Sequence, residues 1–255
     1  MFQKILFKTI LIFILLTGKA NVSLSSTLTA CYDVKVFFFK VGESCITYKI
    51  DKKILKISSH MKTVNIGSLA KRIYDHGSSE LVLEKFYPKK FTFYQEEGTF
   101  KRYQEYDFKE NKIFVLERKY KKLTENIEKE ERKIYSHSGE LDPYSAALFL
   151  FKNFRSNNKG VVSIFYDDKF YKIPWATLGE KIIQTQSGET KCQTVIIKPN
   201  IKGKGLLQPR GDWLLYIDEK TLLPIKMEIG FIIGSVRVEL VSIDGDLNLI
   251  TNLKI

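Results

Sequence analysis

Residues that build compact catalytic and metal motifs are scarce in this chain of 255 residues, which has only three cysteines and three histidines. No two of them stand at zinc-site spacing and there is no Cys-x-x-Cys, so a zinc or dithiol redox role is not expected. GxSxG, HExxH, Walker-type and dinucleotide GxGxxG motifs are also missing, and with them the local signatures of nucleophile, metal and phosphate sites. Gly203-Lys204-Gly205 is too short to cradle a phosphate without a helix after it. His60, His76 and His137 lie apart in polar or loop-like settings and read as surface residues. No run approaches the ~20 apolar residues of a membrane-spanning helix. Proline is rare, at six, and no Gly/Pro/Ser-rich linker divides the chain. These absences predict a single domain with no catalytic residue, no cofactor and no metal.

The first twenty residues, Met1 to Ala20, have Lys4 and Lys8 ahead of an apolar run from Thr9 to Leu16, then Gly18-Lys19-Ala20. This is the form of a secretory signal peptide. It predicts a periplasmic protein, soluble or peripherally bound to a membrane, whose one β-rich domain runs from Asn21 to Ile255. Leu28-Thr29-Ala30-Cys31 also matches a bacterial lipoprotein cleavage site. An outer-membrane lipoprotein anchored at Cys31 is therefore the alternative, although the polar stretch from Asn21 to Thr29 separates that cysteine from the apolar run. The pairing of Cys31, Cys45 and Cys192 stays open: a lipidated Cys31 would leave Cys45 with Cys192, and an unmodified one could bridge to Cys45 across a predicted hairpin.

What the chain does have is positive charge and aromatic rings. It carries 41 basic against 29 acidic residues, a formal charge of +12; without Lys4, Lys8 and Lys19 it keeps 38 against 29, or +9. An exported chain seldom meets nucleic acid, so this charge suits solubility, acidic lipid headgroups or another envelope component. The 13 Tyr and 18 Phe favour strands. About a dozen are expected, at the spacing of an all-β barrel or two-sheet arrangement. Tyr32–Phe39 and Cys45–Ile50 form a hairpin about Val41-Gly42-Glu43, and Leu81–Phe86 ends at Pro88. Phe91–Glu96, Thr99–Phe108 and Ile113–Tyr120 form a meander. The mixed charges between Glu117 and Lys133 read as a solvated strand end or exposed loop. Val161–Tyr166 and Lys169–Ile173 turn at Asp167-Asp168; Thr177–Thr185 and Thr190–Lys198 turn at Ser187-Gly188. Trp213–Ile217, Leu223–Ile233 and Ser235–Ile243 close the fold, with Gly234 in the last tight turn.

One helix is expected, over about 143–154. Asp142 is suited to cap it, and Pro143 fits its first position because it has no amide proton to leave unpaired. Tyr144, Ala147, Leu148, Phe151 and Phe154 fall on one stripe, with Ser145, Lys152 and Asn153 off it. The predicted fold is mainly β: a curved antiparallel sheet, or an incomplete or closed barrel, with this helix at its centre.

In chain order, Tyr32-Asp33-Val34 and Val41-Gly42-Glu43 are followed by Phe86-Tyr87-Pro88 leading to Tyr106-Asp107-Phe108. Asp142-Pro143-Tyr144-Ser145-Ala146-Ala147-Leu148 comes next, then Trp213 to Asp218, Leu223-Pro224-Ile225 and Gly234-Ser235-Val236. This order resembles the exported bacterial family known as domain of unknown function 3108. The resemblance implies that Gly42, Asp142, Pro143, Ser145, Trp213, Asp218, Pro224 and Gly234 are structural, and it supplies no catalytic residues. The last strands are also similar to those of periplasmic lipoprotein carriers, whose incomplete barrel encloses acyl chains. Together these readings predict a non-enzymatic envelope protein with an apolar groove for a lipid or other amphiphile. The alternatives are a structural or interaction protein whose core is self-filled, and, last, an envelope glycan or lipid hydrolase using carboxylates from separate strands.

Overall fold

A computed structural model describes residues 26–122, 124–185, 188–201, 209–231 and 234–253. The expected signal sequence, Met1 to Ala20, and Gly203 to Gly205 lie outside the described residues, as do Ser187 and residues 232–233. Among the described residues, fourteen strands form one antiparallel sheet. In chain order they are β1 (Thr27–Val36), β2 (Phe39–Asp51), β3 (Ile54–Thr63), β4 (Tyr74–Val82), β5 (Tyr87–Glu97), β6 (Phe100–Lys109) and β7 (Lys112–Tyr120), then β8 (Ile127–Ser136), β9 (Lys159–Tyr166), β10 (Lys169–Thr185), β11 (Gly188–Ile197), β12 (Pro209–Asp218), β13 (Pro224–Phe231) and β14 (Gly234–Gly245). Two helices accompany them, α1 (Ile66–Ala70) and α2 (Pro143–Asn153). The order across the sheet is β8-β7-β6-β5-β4-β3-β2-β1-β14-β13-β12-β11-β10-β9. The chain thus lays down one half from the middle outward, crosses through α2, and returns from the other edge.

The curved sheet is not closed into a barrel by strand pairing: β8 and β9 are its two edges. Other contacts span the gap. Leu141, between β8 and α2, exchanges backbone hydrogen bonds with Ser163 and Phe165 of β9, both at 2.9 Å. The Lys133 ammonium on β8 meets Asp168 at 2.6 Å, and Tyr135 packs its ring on Phe165.

Alternation in the strands sets the interior. Leu28, Ala30 and Tyr32 of β1 and Leu55 and Ile57 of β3 point inward, as the period of two requires. On β4 the inward positions are Asp75, Gly77, Ser79 and Leu81, and Gly77 and Ser79 are small enough to admit α2. A side chain at Gly77 would overlap the Tyr144 hydroxyl and Phe93.

Several sequence expectations are corrected. The β1–β2 turn is at Phe37-Phe38, with Val36 paired to Phe39, and Gly42 sits inside β2 opposite Val34 and Thr63. The aromatic run looked like strand because its propensity is high, but Phe37 has a positive φ of 54°. β4 ends at Val82, and residues 83–85 form a 3-10 turn. The charged stretch from Glu117 to Lys133 contains the end of β7 and most of β8, whose cross-strand ion pairs, such as Arg118 with Glu130 at 2.7 Å, keep an edge strand hydrophilic. Ser145, placed off the helix stripe, is buried against Asp142. His137 is buried as well, 3.2 Å from Glu140.

Candidate functional site

The start of α2 is the most heavily bonded of the positions expected from sequence. Asp142 is fully buried. Its carboxylate accepts from the Tyr144 amide at 2.9 Å and the Ser145 amide at 3.2 Å, and from the hydroxyls of Ser145 at 2.5 Å and Ser79 at 2.8 Å. Burial raises its pKa, against the pull of these donors. The cap therefore also bolts the helix to β4. Tyr144 hydrogen-bonds Ser59 on β3 at 2.6 Å, and burial moves its pKa up to about 12.

Beyond this bolt, α2 roofs an apolar cavity of about 130 Å³. Ala147 and Leu150 of the helix face Ile164 of β9, Trp175 of β10, Ile197 of β11 and Trp213 of β12. The indole N–H groups of Trp175 and Trp213 are buried and make no hydrogen bond among the described residues. Trp175 also belongs to a second cleft of about 590 Å³, flanked by Lys159 and Lys198. Its indole lies against Gly160, where a Cβ would come within 2.9 Å of Nε1. Two donors without acceptors in an apolar wall, beside a cleft edged by cations, can hold a molecule with an apolar body and a hydrogen-bond-accepting or anionic head.

The other polar concentration is inside the β5–β8 half. Arg102 is fully buried; it donates to Asp167 at 2.5 Å and to Gln95 at 2.9 Å, and lies 3.6 Å from Glu117. Gln95 also donates to Glu97 at 3.2 Å, and the Asp167 amide donates to the Tyr106 hydroxyl at 3.0 Å. Nearby Asp75 accepts from the Glu96 amide at 3.0 Å. Burial pushes its pKa up to about 7, opposed by that amide and assisted by the charge of Glu97. Sequence reading placed Asp167 correctly in a turn but missed Arg102, which alternates with Gln104 and Tyr106 on the inward face of β6. A lone Arg at an inward strand position is the signal that could have found it.

The remaining expected residues are dispersed. Asp218 accepts from Lys220 and Thr221 at the β12–β13 turn, Pro224 opens β13 and Gly234 opens β14. Gly42 packs under Lys62 and Val34. Cys31 faces Cys45 in register and is disulfide-bonded to it. A sulfur so bonded cannot also carry a thioether lipid. Cys192 is buried and free, with its thiol pushed up to about 11 by burial.

The family described as "Protein of unknown function (DUF3108)" matches residues 31–241. The chain belongs to this family. No curated protein matches the sequence. Among solved structures, the DUF3108 protein is similar to a beta-barrel-like protein of domain of unknown function DUF1849 from Brucella abortus, with a TM-score of 0.57 and 9% identity, over 87% of this chain and 98% of that one. At that identity the likeness concerns the fold alone. The expected similarity of the last strands to lipoprotein carriers is not shown by these comparisons.

Proposed function

We propose that this DUF3108 protein is an exported, non-enzymatic envelope protein that holds a lipid or other amphiphile between α2 and strands β9 to β12. The observation that carries the reading is the pair of tryptophans, Trp175 and Trp213, that line an apolar cavity and whose buried indole N–H groups lack acceptors among the described residues. A buried donor without a partner costs about 1–3 kcal/mol, a cost that an ester or carboxylate oxygen at the cavity mouth would offset. The apolar body lies under Ala147 and Leu150, and the head faces Lys159 and Lys198.

Export is supported by the signal-peptide pattern of Met1 to Ala20 and by the Cys31–Cys45 pairing, which suits an oxidising compartment. Cleavage near Ala20 fits the strand pairing better than cleavage at Cys31. The latter would remove Leu28 and Ala30, both fully buried. The Arg102 cluster supports a structural rather than a hydrolytic role for its carboxylates, because Glu97, Glu117 and Asp167 are almost wholly out of contact with solvent.

Native mass spectrometry of the protein taken gently from envelope fractions, before and after denaturation, tests this. Extra mass lost on denaturation is expected. A bare chain under several extraction conditions would instead support the self-filled scaffold.

A further inference from the structure

The β1–β2 hairpin ends in an unusual tip. Phe37 and Phe38 are each 77% exposed and Phe39, the first residue of β2, is 50% exposed. Two-residue hairpin turns favour Asn and Gly, which accept positive φ readily; here Phe37 adopts it at a conformational cost. The ring of Phe38 lies 4.3 Å from that of Phe39.

Just along the same strand, α1 rests against β2. The Val64 amide donates to the Val41 carbonyl at 2.9 Å, and a Cβ on Gly67 would overlap that carbonyl. None of the five residues of α1 is buried; Leu69 is 87% exposed and Ile66 is 54% exposed. The β1–β2 tip and the β3–β4 connection, both beside the start of β2, therefore project five large apolar side chains from one end of the sheet.

The surroundings of this end are basic: Lys35, Lys40, Lys62, Lys71, Arg72 and Arg237. Arg237 donates to the Phe37 carbonyl. Asp33, Glu43 and Glu239 are engaged by Lys40, Lys62 and Lys35, and Glu228, opposite Arg237, by Lys226, which leaves Lys71, Arg72 and Arg237 without an ion pair among the described residues. Aromatic rings partition to the interface between headgroups and acyl chains, and lysine and arginine are drawn to anionic headgroups.

We infer that this end of the molecule, the Phe37-Phe38-Phe39 tip with α1, docks on an anionic lipid bilayer. Phe37, Phe38 and Leu69 enter the interface, and Lys71, Arg72 and Arg237 meet the headgroups. This surface is distinct from the cavity under α2, so either can fail without the other.

Cosedimentation with vesicles of phosphatidylcholine, alone or mixed with phosphatidylglycerol, tests the inference. The protein is expected to pellet with the mixed vesicles, less so as salt rises. Phe38→Ser and Leu69→Ser should each weaken binding by about tenfold. Leu247→Ser, an exposed apolar residue beyond the end of β14, should leave binding unchanged, and circular dichroism confirms that each variant is folded. Failure of the wild-type protein to bind the mixed vesicles would overturn the inference, as would equal binding by the folded Phe38 and Leu69 variants. A tip that instead mediates self-association would appear as a dimer dispersed by Phe38→Ser, with no effect of vesicles.

Discussion

Asp142 joins a local signal to a distant contact. The Asp-Pro pair announces a helix start, but the same carboxylate also accepts from Ser79 on β4, 63 residues away, and only the fold reveals that second role. Asp142→Ala is expected to cost about 2 kcal/mol, the cap together with the stranded hydroxyls, read as a lower urea midpoint with an unchanged slope. Asp75 makes an opposite kind of prediction. Its carboxyl titrates near 7 in the fold, against an ordinary value of 3.8, so the native state binds this proton more tightly than the unfolded chain does. Its contribution to stability is present below pH ~4 and is lost as pH rises through about 7. Asp75→Asn should remove this part of the slope: the difference in unfolding free energy between variant and wild type should shift in favour of the variant between pH 4 and 7. A pH-independent difference would show that Asp75 is not buried as a proton-binding group.

Arg102, Asp167 and Glu117 act between elements. They tie β6 and β7 to the β9–β10 turn across an opening that no strand pairing closes. Replacing Arg102 with Met should cost about 3–5 kcal/mol, because buried carboxylates lose their counter-charge. Arg102→Met/Asp167→Asn should recover part of that loss. Denaturant melts of the two variants check this, and equal stability of Arg102→Met and wild type would show that the latch contributes nothing. Elements were unequally legible. α2 was readable because cap, proline and apolar spacing agree, and the Asp167-Asp168 turn because both residues tolerate the positive φ they adopt, 50° and 62°. β8 was hidden because an edge strand has little apolar face, and all but three of its residues are exposed. β4 was hidden because its inward residues are small, chosen by the helix that lies on them rather than by strand propensity.

At the scale of the whole molecule, the expectation of a mainly β fold with a helix over about 143–154 is met, and the second helix, α1, was not expected. That β8 and β9 are joined through Leu141 and side chains rather than by strand pairing is something no periodicity reports. The candidate cavity was legible only in part. Pro143 and Trp213 were singled out and do line it, whereas Trp175 was not, since one indole within a hairpin resembles any other strand aromatic. Trp175 and Trp213 are the only two tryptophans in the chain, and both border the cavity, so intrinsic fluorescence reports directly on its contents. Titration with a bromine-labelled fatty acid, which quenches tryptophan only at close range, tests the amphiphile site under α2. Saturable quenching is expected, reversed by an unlabelled fatty acid and abolished in a folded protein by Ala147→Phe, which fills the cavity. Absence of quenching in the wild-type protein, or quenching that Ala147→Phe leaves intact, would contradict an amphiphile site under α2.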